Sequence, residues 1–278
     1  MASVGSFTLI LNERAWIGAH LLSWLPLLDE MVFYADAASN DGTVDIIKDF
    51  RARHEFGNKI KLFENKTPKD LQDDYVRLFN DCMRELSTDF AAFLHPDFLP
   101  DGDASGLRSI GDCHAYASEM RSFAGEPGGK LYEFTEGRAD NWLHIYRLRN
   151  PDLGAKYHGH YGAHNEGVYF EAITGDEYQL FKNTALYPYK VGESGVKILH
   201  FSDVRPYQRR INRMITCLQN QNPTLTREQA YDLAKQHPRV SLDSGSGRFG
   251  KFLLKPAEYP EIFSKADAWL EGSCQPTS

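Results

Sequence analysis

Eight consecutive residues, Asp36-Ala37-Ala38-Ser39-Asn40-Asp41-Gly42-Thr43, form an acidic, Ser- and Gly-bearing turn. The turn follows an apolar run over 31–35 and precedes the helix-like Val44-Asp45-Ile46-Ile47. Open α/β sheets bind their ligands just beyond the carboxyl ends of the strands, where such a turn falls. It lacks the glycine spacing of a dinucleotide-binding loop and must hold its ligand by other groups. Within it, Asp41 and Thr43 are of the types that fix a turn and cap the following helix. A second group, His95-Pro96-Asp97, ends an apolar run over 90–94. A carboxylate at a strand end is a hard ligand suited to Mg2+ or Mn2+, and a turn former or helix cap is its plainer role. The densest cluster of titratable groups is Tyr157-His158-Gly159-His160-Tyr161-Gly162-Ala163-His164-Asn165-Glu166. Further on, Ile198-Leu199-His200-Phe201-Ser202 is an apolar run that ends in a histidine.

Bringing these groups together requires alternating elements. Apolar runs predict strands over 6–11, 31–35, 60–63 and 90–94. Between them lie an amphipathic helix over 15–25, a second helix over 43–53, and a third that opens at Pro68 and runs to about 86. This alternation predicts an α/β fold with a mainly parallel sheet, Rossmann-like, flanked by helices. Beyond Gly102 the pattern changes to strand-like runs over 114–123, 141–147, 167–173 and 196–201, joined by irregular segments. Gly125-Glu126-Pro127-Gly128-Gly129 predicts a turn. Residues 207–219 predict a helix, and Thr226-Arg227-Glu228-Gln229 has the spacing of a capping box that opens another. The expected organisation is an α/β half over 1–102, a second half of the same domain over 103–205, and a helical C-terminal extension over 206–278.

Three stretches carry a family resemblance: Ile10-Leu11-Asn12-Glu13, Asp36 to Thr43, and Phe93-Leu94-His95-Pro96-Asp97. In order and spacing they resemble the nucleotide-sugar-binding half of GT-A glycosyltransferases of the family 2 type. That family has an Asn-Glu after the first strand, an acidic Gly/Ser/Thr turn after the second and an Asp-x-Asp after the fourth. The resemblance implies that residues 1–102 bind a nucleoside diphosphate-sugar, a UDP-sugar foremost, and that residues 103–205 accept the acceptor. Asn12, Glu13, Asp36, Asp41 and His95 are then the donor-binding candidates, with Asp36 as the nucleoside contact, and Arg205 joins them because it adjoins the His200 run. A divalent metal, Mn2+ or Mg2+, neutralises the diphosphate in place of a glycine loop, with Asp97 as its ligand. His200 matches the C-terminal histidine that completes the metal shell in that family. The sequence departs from the pattern at His95, which stands where the first Asp of Asp-x-Asp would be. The loss of that carboxylate weakens the site or brings an imidazole into the shell, which favours Mn2+ over Mg2+.

Ile145-Tyr146-Arg147-Leu148-Arg149 and the cluster after it resemble a segment of family 2 enzymes that add sugars to lipopolysaccharide cores. The His-Glu pair of those enzymes is interrupted here as His164-Asn165-Glu166. Glu166 is the candidate base that deprotonates the acceptor hydroxyl, with Glu171 and Asp176 as fallbacks. The implied reaction is inverting transfer of a hexosyl-type sugar to a glycan or other hydroxyl acceptor. Two alternatives stand beside it: a non-catalytic GT-A-like binding module and a nucleotidyltransferase. The latter lacks its usual Gly-rich, Lys/Arg-bearing loop, since Asn12-Glu13-Arg14 stands there. A cupin-like site on His158 and His160 conflicts with the spacing to Glu166 and with the α/β pattern over 6–97.

Arg205, Arg209 and Arg213 recur every four residues and would share one helix face, solvated except at Arg205. Residues 244–250 predict a lid or a plain surface loop. Trp16 and Trp24 fit a core at helical spacing, and Trp142 is open to either role. The formal net charge of -7 argues against nucleic acid, which calls for a basic face. Cys82, Cys113, Cys217 and Cys274 form no CxxC pair and predict free thiols in a reducing cytoplasm. No apolar run reaches the roughly 20 residues of a membrane span, and no basic leader precedes an apolar core. The expected location is the cytoplasm, with docking to the inner face of a membrane left open.

Overall fold

The computed structural model describes residues 2–64, 81–111, 113, 115–134, 140–147, 153–158, 167–172, 177–181, 184–185, 191–242 and 254–273. They divide into two compact units, one of residues 1–119, 141–198 and 261–278, the other of 120–140 and 199–260.

The first unit is an α/β fold. Strands β1 (Val4–Ile10), β2 (Glu30–Ala35), β3 (Ile60–Glu64) and β4 (Phe90–Phe93) pair in parallel in the order β4-β1-β2-β3. Strand β8 (Asp140–Arg147) joins β4 antiparallel. β1 and β2 are buried along almost their whole length, as expected of central parallel strands with both faces covered. Helices α1 (Arg14–Trp24) and α2 (Thr43–Arg53) form the connections, and residues 81–85 are the described part of α3. The start of the third predicted helix, at Pro68, lies outside the described residues. Short β5 (Phe98–Pro100) follows β4. Strands β9 (Leu153–His158), β10 (Gly167–Ala172), β11 (Glu177–Phe181) and β12 (Thr184–Ala185) form a separate antiparallel meander.

The expected amphipathic character of α1 does not hold. Trp16, Ile17, Gly18, Ala19, His20, Leu21 and Trp24 are all buried, which wraps nearly the whole circumference. The cause is α7 (Ile262–Ser273), which lies within the expected helical C-terminal extension and packs on α1, a docking the sequence pattern did not indicate. A Cβ at Gly18 would rest 3.4 Å from both Ala266 Cβ and Leu270 Cδ1, at contact distance, so Gly18 faces α7 directly. Phe263 meets Trp16 edge-on at 5.6 Å, and Trp269 stacks on Phe50 of α2 at 3.7 Å under the Arg53 guanidinium. A helix apolar all round needs cover on both sides, and α7 supplies the second.

The second unit is built on a hairpin and three helices. The later part of β6 (Ala115–Gly125) pairs with β7 (Leu131–Phe134) across the predicted turn, closed by Glu126 N–H to Lys130 O at 3.0 Å. Strand β14 (Leu254–Ala257) adds to β7. Helices α4 (Tyr207–Gln221), α5 (Arg227–Lys235) and α6 (Pro238–Ser241) enclose Ile211, Met214, Ile215, Leu218, Ala230, Ala234 and Val240. The α4 members recur at helical spacing. The capping box forms as predicted: Thr226 Oγ1 accepts from Gln229 N–H at 3.2 Å, and Gln229 Oε1 accepts from Thr226 N–H at 2.9 Å.

Candidate functional site

In the first unit the chain runs outward from β1 to β2 and β3, then returns to place β4 on the other side of β1. The order of the parallel strands therefore reverses at β1, and the crevice beyond their carboxyl ends at such a reversal is where ligands bind. Register puts those ends at one edge, with Ile10 beside Ala35 and Phe7 beside Phe93. Asn12 and Glu13 follow β1, Asp36 follows β2, and His95 and Asp97 follow β4. Five candidates thus share one edge of one sheet.

The turn after β2 is held by its own polar groups. Asp36 N–H donates to Ile10 O at 2.9 Å, Ser39 N–H to Asp36 O at 2.9 Å, and Ala38 N–H to Asp36 Oδ1 at 2.7 Å. Asp36 itself is 7 % exposed. The loop after β1 is tied to this turn. Asn12, at φ 56°, donates its N–H to Ser39 Oγ at 3.2 Å and accepts from Asn40 N–H at 2.9 Å. Asparagine is among the few residues that adopt the left-handed conformation without a large penalty. Glu13 N–H donates to Thr43 Oγ1 at 2.9 Å and Arg14 N–H to Asp41 Oδ2 at 3.0 Å. Asp41 Oδ1 accepts from Thr43 N–H at 3.0 Å and from the Thr43 hydroxyl. Burial pushes the Asp41 carboxyl up, but the bonds from Thr43 and Arg14 together outweigh it and hold the group below its ordinary value. Gly42 completes the turn at φ 88°. Asp41 therefore shapes the turn with both oxygens, whereas Asp36 commits only Oδ1 within it.

On the other side of β1, Asp97 is 5 % exposed. The His95 ring lies between two aromatic neighbours, 4.5 Å from Phe93 and edge-on to Phe98 at 5.1 Å. Phe98 N–H closes the turn onto His95 O at 3.0 Å, and the buried Thr8 hydroxyl of β1 donates to Leu94 O at 2.7 Å. The Phe98 carbonyl accepts from Trp24 Nε1–H at 2.8 Å and lies 3.2 Å from His20 Nδ1. Burial pushes His20 down to about 3, with the Phe98 carbonyl opposing and His95 adding to the fall. The ring is therefore neutral, and a carbonyl partner means that Nδ1 carries the proton.

The remaining candidates fall in the second unit, in the meander or outside the described residues. His200, in the buried run 198–201 of β13 (Val191–Val204), and Arg205 belong to the second unit. Arg205 precedes α4, so the predicted stripe through Arg209 and Arg213 begins only beyond it. Both helix members are exposed. The buried arginine of α4 is Arg210, whose guanidinium donates to the carbonyls of Gly125, Arg205 (2.5 Å) and Val240 (3.4 Å). Its position four before Met214, on the apolar face, was a legible signal that it turns inward. Glu166, His160, His164, Asp176 and the predicted lid over 244–250 lie outside the described residues, as does the Trp142 side chain. His158 pairs with Gly167 and Glu171 with Gly154 in the backbone of the meander. Among the described residues no three His, Cys, Asp or Glu side chains form a group that could cage a metal. Among them too, no helix is long and apolar enough to cross a membrane.

No protein-family model and no curated protein matches the chain. Solved structures do. The mannosyltransferase PcManGT from Pyrobaculum calidifontis, in complex with GDP-Man and Mn2+, matches at 12% identity and a TM-score of 0.45, over 100% of this chain and 76% of that one. S. aureus TarS 1-349 in complex with UDP matches at 16% identity and a TM-score of 0.34, over 45% of this chain and only 37% of that one. The inositol-1-phosphate CTP transferase from T. maritima matches at 12% identity and a TM-score of 0.34, over 96% of this chain and 97% of that one.

Proposed function

We propose that the chain is a glycosyltransferase of the GT-A type, which moves a sugar from a nucleoside diphosphate-sugar to a hydroxyl acceptor. The observation that carries this reading is a pair of buried carboxylates, Asp36 and Asp97, on either side of β1 where the strand order reverses. Asp36 Oδ1 is engaged by Ala38 N–H, which leaves Oδ2 to accept from a base N–H or a ribose hydroxyl. The bonded turn from Asn12 to Thr43 keeps that oxygen aimed without reorganisation when the nucleoside arrives. The diphosphate then extends toward Asp97.

The donor set fits a divalent cation of the kind that arrives with a nucleotide. Such an ion is held by one or two carboxylates plus substrate phosphates, and needs no all-protein cage. When bound, it neutralises charge on the departing diphosphate as a Lewis acid. Asp97 is the ligand this chain offers beside the nucleoside site. His200 follows only from the family resemblance, as does Glu166, the base that takes the acceptor proton while its oxygen attacks the anomeric carbon from the face opposite the nucleotide. Inversion at that carbon follows from this single displacement.

A second reading has its own observation. His95 occupies the position of a carboxylate and packs between Phe93 and Phe98, which suits a module that binds the nucleotide-sugar without turnover. A panel of nucleotide-sugars, with and without Mn2+, separates the two by binding and slow donor hydrolysis. Metal-dependent hydrolysis that Asp97→Ala abolishes supports the enzyme. Binding without hydrolysis, unchanged by Asp97→Ala, supports the module, and the absence of any nucleotide binding refutes both.

A further inference from the structure

Helix α1 enters the candidate site twice. Its first turn is tied to the β2–α2 turn through Glu13 and Arg14, beside Asp36. Two turns later, His20 and Trp24 stand four residues apart on one face and converge on a single acceptor, the carbonyl of Phe98. Phe98 is the residue after Asp97, and its own N–H closes the turn onto His95. All three side chains are buried. A carbonyl has two lone pairs, and both are matched here by ring N–H donors of buried side chains, where such bonds are directional and hard to replace.

We propose that His20 and Trp24 are a positioning pair for Asp97. They fix the Phe98–Leu99 peptide, one peptide beyond Asp97, and together with the Phe98 N–H bond to His95 O they set where the Asp97 carboxylate stands relative to Asp36. This rests on the metal-assisted reading above, in which Asp97 must meet a cation that the nucleotide diphosphate also holds. Outer-shell groups that orient a ligand typically change metal affinity by about 10- to 100-fold when removed. One side chain alone need not do this work if the aim is only a stable core, since Leu or Phe fills the same space. Two polar N–H groups aimed at one carbonyl next to the candidate ligand are what distinguishes the arrangement.

The experiment uses the full chain and three variants. Trp24→Phe keeps an aromatic and deletes one donor, His20→Met deletes the other, and His20→Asn restores a donor where Nδ1 stood. Mn2+ is titrated in the presence of UDP, GDP, CDP or ADP, and free Mn2+ is read by its paramagnetic resonance signal. Binding of the same nucleotides without metal is read by calorimetry, and folding by thermal melts. The expected result is a loss of Mn2+ affinity of about tenfold in Trp24→Phe and His20→Met, recovery in His20→Asn, and unchanged metal-free nucleotide binding. Wild-type protein that binds Mn2+ with its nucleotide while the deletions bind equally well overturns the positioning role alone. So does a parallel loss of metal-free binding, which marks a general packing defect. Wild-type protein whose nucleotide binding ignores Mn2+ overturns the metal reading, and this inference with it.

Discussion

Acid exposes His20. In the folded protein burial holds this imidazole at about 3, against an ordinary value of 6.5, so the unfolded chain takes up a proton over a pH range where the native one does not. Stability falls with decreasing pH wherever the unfolded state binds more protons, so the loss begins near 6.5 and grows downward toward 3. Above 7.5 the effect is close to nil. At pH 5 the unfolded chain is 1.5 pH units below its own value, which amounts to about 2 kcal/mol of lost stability from this one ring. The variant to compare is His20→Asn, which keeps a donor for the Phe98 carbonyl and cannot titrate. Denaturant unfolding of both proteins, followed by tryptophan fluorescence, is measured at pH 7.5 and pH 5. Other titrating groups are common to both and cancel in the difference. The wild type is expected to lose about 2 kcal/mol more than the variant between the two pH values. Equal losses would mean that His20 is charged or solvated in the native state, and the neutral Nδ1–H donor assigned to it would be refuted.

Three further outcomes follow from local geometry. Gly42→Ala forces a side chain into a left-handed conformation against the Arg14 guanidinium, and an unfolding titration should show a loss of about 1–2 kcal/mol. Thr226→Ala removes half of the capping box that opens α5, a loss of about 1 kcal/mol. Its melting temperature should fall by about 2–4 °C if the chain melts as one transition. Arg210→Met fills the volume but strips donors from the carbonyls of Gly125, Arg205 and Val240, and should destabilise by about 3 kcal/mol in a denaturant melt. A variant as stable as wild type would show that water replaces the guanidinium at little penalty.

The edge that carries Asn12, Asp36 and Asp97 was legible because strand, turn and helix signals alternate there without ambiguity. The Asp36 turn begins where β2 ends, and α2 spans the residues that its pattern predicted. The capping box at Thr226 was legible for the same reason: a local hydrogen-bond motif needs no knowledge of the rest of the chain. What escaped was set by distant partners. Short β5, β7 and β14 carry too few residues to show a period, and exist because a neighbouring strand supplies their hydrogen bonds. Helix α1 reads as one-faced until α7 is known to cover its outer side. His20 reads as a plain helix residue, because its meaning lies in the Phe98 carbonyl, 78 positions away. The role of His200 came from resemblance and that of Arg205 from its place beside the His200 run, and their place in the second unit is not a property that spacing alone encodes.

The docking of α7 has a bearing on how the protein is made. Phe50 and its partner Trp269 are separated by more than two hundred residues, as are Trp16 and Phe263. A ribosome moving at about 5–20 residues per second needs on the order of 10–40 seconds to span that interval. Over that interval the residues of α1 and α2 are made before the helix that covers their apolar seam. The first unit thus joins helices to a partner made more than two hundred residues later, and a chaperone that shields the seam of α1 and α2 has that interval in which to act.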